Sequence, residues 1–342
     1  MSNNLIASAI LIAAGYVNPA QGQSTASILY VELQNVVEYQ VDTSDLSKYG
    51  TNPSVTQGKI AKGMGVGCVG VPIIGYADIV SVNGQPARGT YTVRGVATCT
   101  SPTPVPGVEA IADTTWPSLR DETYEILQSD GTPVGTIMTF GFSSGMPSPP
   151  GPPAGSKNSA ITGGTGGFFG ARGQKGQRNG LLSGSVTERV ASITEDPANR
   201  RQNGGGHTLT VLYVIPISWP AVVTTADGPA IVHSSDFSRV STSKPAAAGE
   251  ILSLFATSLG PTRASLTPGQ PFPSSPLAVV NSPVAVTVNG KAAEVLGAVG
   301  YPGAVDGYQV NFRVPAGISP GVATIQISAA WIPGAPVSIA VK

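Results

Sequence analysis

The sequence predicts an all-β chain of two domains, and three observations carry that expectation. Tight-turn dipeptides sit between strand-like runs at Asn83-Gly84, Asp130-Gly131 and Asn289-Gly290. Asn-Gly and Asp-Gly tolerate the positive φ of a short hairpin loop, so each predicts a pair of antiparallel strands. The chain is 41% hydrophobic yet punctuated by 43 glycines and 30 prolines, a composition suited to many short strands joined by turns. No long amphipathic helical pattern and no repeat of fixed period runs through it. At 342 residues it is long enough for two domains of roughly 150 residues each.

Taken in order, residues 5–14 form an apolar run too short to span a bilayer. Asn18-Pro19 breaks it, and Ala20-Gln21-Gly22 offers small residues at a cleavage site, so residues 1–23 read as a signal peptide or as an apolar N-terminal strand. No later segment reaches membrane-spanning length, and a secreted protein without a transmembrane segment is expected. Residues 27–41 (SILYVELQNVVEYQV) read as a strand or strand pair, and 42–56 as a loop. Residues 79–98 form a hairpin around Asn83-Gly84, and 121–127 pairs with 132–142 around Ser129-Asp130-Gly131. Residues 143–158 (SSGMPSPPGPPAGSKN) are proline-rich, and prolines cannot donate to a ladder, so a surface loop is expected. Residues 173–184 and 196–206 read as polar glycine-rich loops, and 208–214 as a strand. A boundary falls near 219–229. Beyond it, strands at 250–257, 284–288, 292–296, 308–314, 323–328 and 337–341 alternate with turns in the manner of a β-sandwich.

Cys68 and Cys99 both lie in glycine-rich, strand-like stretches. They would be bridged in an oxidising compartment or stay as buried thiols; no histidine lies at a spacing that would make a metal site. Formal net charge is zero and no basic run stands out, which argues against nucleic-acid partners. The two histidines, His207 and His233, fall in different domains, and no Gly-x-Ser-x-Gly elbow accompanies them, so both read as surface residues, with a pH switch as the alternative.

The densest motif is AITGGTGGFFGARG at 160–173. It lacks the Lys-Ser/Thr of a phosphate loop and has no apolar stripe at helical spacing. It fits two strands, 160–162 and 168–172, joined by a turn in which Gly163, Gly164, Gly166 and Gly167 supply positive φ. This segment resembles the glycine-turn signature of dirigent proteins and allene oxide cyclases, flanked by TIMTFGF at 136–142 and TLTVLYV at 208–214. The resemblance implies a small antiparallel β-barrel over residues 24–220, a homo-oligomer such as a trimer, and chemistry without a cofactor. In that chemistry a reactive hydrophobic small molecule is held in an apolar cavity while placed polar groups steer its cyclisation. Arg172 matches the arginine of the signature and would stabilise an oxyanion or, alternatively, form a rim ion pair. Tyr213 would donate to a ligand or to backbone, and Glu38 or Asp42 would supply a carboxylate of raised pKa facing the cavity. The chain departs from the dirigent pattern at Lys157-Asn158-Ser159, which carries no acid where those proteins place an aspartate; this counts against dirigent-type cyclisation.

Residues 229–342 resemble the Solibacter-type C-terminal domain of secreted bacterial proteins. The resemblance is carried by AAAGEILSLFATSLGPT, PFPSSPLAVVNSPVAVTVNGKAAEVL, YQVNFRVPAGISPG and the terminal SIAVK. It implies export and an immunoglobulin-like β-sandwich with no assigned chemistry. Three functions follow as expectations: a secreted barrel that binds a hydrophobic small molecule, an extracellular structural subunit assembling into filaments or layers by strand exchange or edge pairing, and an adhesin or carbohydrate binder.

Overall fold

The computed structural model describes residues 26–40, 71–97, 118–143, 156–178, 188–192, 194–263, 266–267 and 269–342. Asp42, Cys68, Cys99 and the N-terminal apolar segment fall outside them, as does most of the proline-rich stretch. Every extended element among them is a strand; the helical pieces are single 3-10 turns.

Nine strands build the first half: β1 (Ser27–Gln40), β2 (Val71–Val82), β3 (Gln85–Ala97), β4 (Ser118–Gln128), β5 (Pro133–Ser143), β6 (Ser156–Gly164), β7 (Arg172–Arg178), β8 (Arg189–Ser192) and β9 (Gly206–Ile215). Each of β1 to β6 pairs antiparallel with the next, β7 pairs with β9, and β9 returns to β1. The ring of eight strands is closed, as the sequence led one to expect, and β8 adds parallel to the last part of β1. Closure follows from hairpins that work as predicted. Asn83 and Gly84 both adopt positive φ, at 51° and 74°, and the Tyr30 amide donates to Asn83 Oδ1 at 2.8 Å, which locks the turn onto β1.

Side chains alternate, and one alternation fills the ring. Leu29, Val31, Leu33, Ala77, Ile79, Tyr91, Val93, Tyr124, Ile126, Ile137, Leu212 and Val214 belong to one buried cluster. The other alternation carries Glu32, Asp78, Arg88, Arg94, Asp121 and Glu125, none of them in the core. An eight-stranded ring has an interior just wide enough for side chains to fill it.

The glycine motif is built differently from the expectation. The segment 168–172 does not lead out as a strand; Gly166–Phe168 makes a 3-10 turn and β7 begins at Arg172. Gly166, at φ 62°, is the turn residue that needs the left-handed region. Gly163, Gly164 and Gly167 are not at positive φ; a Cβ on Gly164 would sit 2.2 Å from the Phe168 carbonyl oxygen, so close approach is what selects glycine there. Residues 173–178, expected as loop, are strand, because Lys175 and its neighbours pair with both β6 and β9.

The second half comprises β10 (Ala221–Val222), β11 (Thr224–Thr225), β12 (Gly228–Pro229), β13 (Ile231–His233), β14 (Ile251–Thr257), β15 (Thr262–Arg263), β16 (Val279–Val280), β17 (Val284–Val288), β18 (Lys291–Gly300), β19 (Tyr308–Arg313), β20 (Gly321–Ala329), β21 (Ile332–Pro333) and β22 (Val337–Val341). All but β11 and β12 form one eleven-stranded sheet. Strand β18 pairs with β17 through Lys291–Ala293 and with β19 through Glu294–Gly300, so the sheet curls through it. Two layers then face one core that joins Leu252, Leu254, Val310 and Phe312 to Val286, Val288, Ile325 and Ile327. The expected sandwich is therefore a single curled sheet. Ala221–Val222 pairs with β14, which places the boundary stretch in this second unit.

The halves are seated on each other. Ala330 and Ile332, from the β20–β21 turn, join the barrel's buried cluster, with Trp219 and Trp331 packed against it. Trp331 Nε1 donates to Gln85 Oε1 at 2.9 Å and Gln128 Nε2 to the Asn281 carbonyl at 2.6 Å. A Cβ on Gly167 would lie 2.8 Å from Ser282 Oγ and 3.0 Å from the Ala330 Cβ. The fourth glycine of the motif thus lets the second unit approach the barrel.

Candidate functional site

The C-terminal unit and Phe168 close one end of the barrel. Toward the other end, where β1, β3, β5 and β7 finish, the lumen turns from apolar to charged. A bulge explains how Glu38 comes to face inward. Asn35 has φ 53° and both ladders of β1 shift register beside it, so the inward set passes from Leu33 to Val36 and Glu38. Val37 and Tyr39 turn outward and are buried instead against Ala191 of β8.

Glu38 meets Arg120 through both carboxylate oxygens, one of them to Nη2 at 3.1 Å. The two strands that separate them present Gly75 and Gly95 inward. A Cβ on Gly95 would sit 2.5 Å from the Leu119 carbonyl oxygen and one on Gly75 2.6 Å from Val93 Cγ1, so close strand approach selects glycine at both positions. Two residues further along β4, Glu122 accepts from four donors: Lys175 Nζ at 2.8 Å, Thr139 Oγ1 at 2.9 Å, Tyr91 Oη at 3.2 Å and Tyr124 Oη at 3.4 Å. Ser159 Oγ donates in turn to Thr139 at 3.1 Å. The side chains of Lys175 and Glu122 are 2% and 1% exposed.

Electrostatics favour the charged form of Glu122. Burial pushes the Glu122 carboxyl up, but the Lys175 charge and the hydrogen bonds from Lys175 and Thr139 outweigh it and hold the group below the ordinary carboxylate range. Tyr91 and Tyr124 are pushed well above the usual phenol value by burial and then by the Glu122 charge, so they remain donors. Four donors on one carboxylate use its roughly four lone-pair sites. A general base or nucleophile needs a free valence for substrate, and Glu122 has none left. The arrangement is that of a satisfied buried ion-pair network, which fixes strand register.

The predicted site residues do not converge. Glu38 lies in the lumen, in the network just described. Arg172 is exposed at the start of β7; Gly173 and Lys175 take the inward alternation, so Arg172 faces away from the lumen. Tyr213 pairs with Ile28 and Gln174 on the outward alternation and is half-buried. Neither can act on a ligand inside the barrel together with Glu38. Asp42 lies outside the described residues. The surface assignment of the histidines is also corrected. His233 is buried, between Glu250 Oε1 at Nδ1 and the Lys244 carbonyl, 3.2 Å from Nε2. His207 is half-buried, with Nε2 2.7 Å from Glu32 Oε1.

Arg120, Glu122 and Lys175 were missed. The signal for two of them was present: in SLRDETYEIL the alternation Arg120, Glu122, Tyr124, Ile126 runs charged residues into an aromatic and aliphatic face. Lys175, in GQKGQ, has no apolar neighbour to betray its direction. Among the described residues, no group of three or more His, Cys, Asp or Glu could hold a metal ion, and no helix is long and apolar enough to cross a membrane. Two open grooves mark the outside: one of about 470 Å³ beside Tyr30, Glu32 and Asn83, and one of about 320 Å³ at the seam between the units, beside Phe169, Ile217, Asp306 and Tyr308. Neither a family model, nor a curated protein, nor a solved structure matches this chain.

Proposed function

We propose that the protein is an exported structural subunit that works by self-association rather than by turning over a ligand. The observation that carries this reading is the occupied lumen. Leu29, Leu33, Tyr124, Ile126, Ile137, Phe168, Lys175 and Leu212 are all fully buried, and the one charged layer is saturated with its own donors. A barrel meant to hold a hydrophobic molecule needs an unfilled apolar volume with convergent polar groups. Here the cation expected to serve such a ligand, Arg172, faces away from the lumen. The seating of the second unit on the barrel, through Ala330, Ile332 and Trp331, gives the subunit a continuous all-β body, which suits a structural role.

The competing small-molecule reading is separated by one experiment. The purified protein is examined by native mass spectrometry and by analytical ultracentrifugation up to about 1 mM, well into the range of weak association. Concentration-dependent oligomers of unliganded chains support the structural reading. A stoichiometric co-purified small molecule on a chain that stays monomeric overturns it.

A further inference from the structure

We infer that the outer face of β2–β5 is the surface on which a second copy of this chain docks, about a two-fold axis lying along the strands between Arg94 and Asp121. The inference rests on the assembly reading above and assigns it a face. Six large apolar side chains stand on this face, each more than a third exposed: Ile74, Tyr76, Val96, Leu119, Met138 and Phe140. They are not scattered. The ladders align them in three rows across four adjacent strands. Val96 stands beside Leu119; next comes Ile74, Arg94, Asp121, Phe140; then Tyr76, Thr92, Thr123, Met138. Scattered single apolar residues need no explanation, but a contiguous set marks a contact surface.

Charge decides the occupant. Within the central row Arg94 and Asp121 are paired at 2.9 Å, with side chains 81% and 48% exposed. A pair so exposed contributes little to the monomer. An isologous contact needs a patch complementary to itself. Rotation about an axis that runs along the strands, midway between β3 and β4, lays Arg94 over Asp121 of the copy and Asp121 over its Arg94. The same rotation lays Val96 on Leu119, Thr92 on Thr123, Ile74 on Phe140 and Tyr76 on Met138. Every row meets itself with like chemistry opposed and opposite charges paired. The larger side chains sit on the flanking strands, where two curved barrels diverge and a gap must be filled. With strands about 4.8 Å apart and same-face residues about 6.8 Å apart, the patch covers roughly 400 Å² per copy. That is below the usual size of a stable interface, so the contact is weak singly and acts at high local concentration or in repetition.

Charge reversal tests this directly. Wild type, Arg94→Asp, Asp121→Arg, the double variant, and an equimolar mixture of the two single variants are compared by sedimentation velocity up to about 1 mM, with unfolding midpoints confirming that each is folded. Wild type should dimerise with concentration. Each single variant opposes like charges twice and should stay monomeric. The double variant should dimerise again, and the mixture should form heterodimers, which the two-fold geometry alone predicts. Single variants that dimerise like wild type, or a mixture that stays monomeric, overturn the assigned face while leaving self-association standing. Wild type that is monomeric throughout overturns both.

Discussion

Replacing Lys175 by Met removes the ammonium that donates to Glu122 and leaves that carboxylate the hydroxyls of Thr139, Tyr91 and Tyr124. Breaking one partner out of a buried pair costs about 3–5 kcal/mol, because the remaining charge stays desolvated. At 1% exposure Glu122 cannot recover solvent, and the Arg120 charge compensates only from further off. A loss of about 3 kcal/mol should lower the unfolding midpoint by roughly 6–12 °C for a body of this size. Glu122→Gln should cost a similar amount, since it removes the carboxylate charge that faces the buried Lys175 ammonium. The pair of substitutions together removes both charges and keeps an acceptor for Tyr91, Tyr124 and Thr139. It should therefore cost about 1–2 kcal/mol in total, with a coupling of at least about 2 kcal/mol. Equilibrium urea unfolding of the four proteins at pH 7 measures the cycle. If the two single losses simply add in the double variant, the network is not a coupled ion pair and the account of the lumen given above is wrong.

Acid should act on the same carboxylate. Its folded pKa is lowered, so its contribution is full above the ordinary carboxylate value and is lost as pH falls through the folded value; the stability gap between wild type and Glu122→Gln should narrow on acidification below about pH 4. Asp78, held down to about 2 despite burial by hydrogen bonds from Arg201, Arg200 and Asn35, ties the β1 bulge to the loop before β9. Asp78→Asn should cost on the order of 1 kcal/mol at pH 7 after allowance for solvent screening, a difference that disappears in urea titrations near pH 2. Gly167→Ala should destabilise by about 1–3 kcal/mol through overpacking against Ser282 and Ala330, seen as increased protease cleavage near the seam. Phe168→Ala, at a fully buried position, should cost about 3–5 kcal/mol in the same unfolding assay.

Much of the fold was legible because turns announce themselves. Asn83-Gly84, Asp130-Gly131 and Asn289-Gly290 each mark a hairpin, and the C-terminal strands fall close to their expected places. The start of β2 at Val71 was not readable, since VPII carries no alternation in the sequence. The site was less legible for a definite reason: a strand's two faces are told apart by which is apolar, and β7 (RGQKGQR) is polar on both. Lys175 therefore could not be seen to point inward, nor Arg172 outward. Glu38 was placed in the lumen by the bulge at Asn35, a backbone event that shifts every later side chain by one face and has no strong signature in ELQNVVEYQ.

The stopper of the barrel comes from the second unit. Ala330 and Ile332 complete the hydrophobic cluster of a ring whose final strand ends at Ile215, and Ala330 and Trp331 hold positive φ, at 50° and 60°, to reach it. A barrel without that segment would carry an open, oily mouth, which the second unit covers. Concealment of that surface thus depends on a distant part of the chain, so copies cut between the two units would offer it to proteases and to one another.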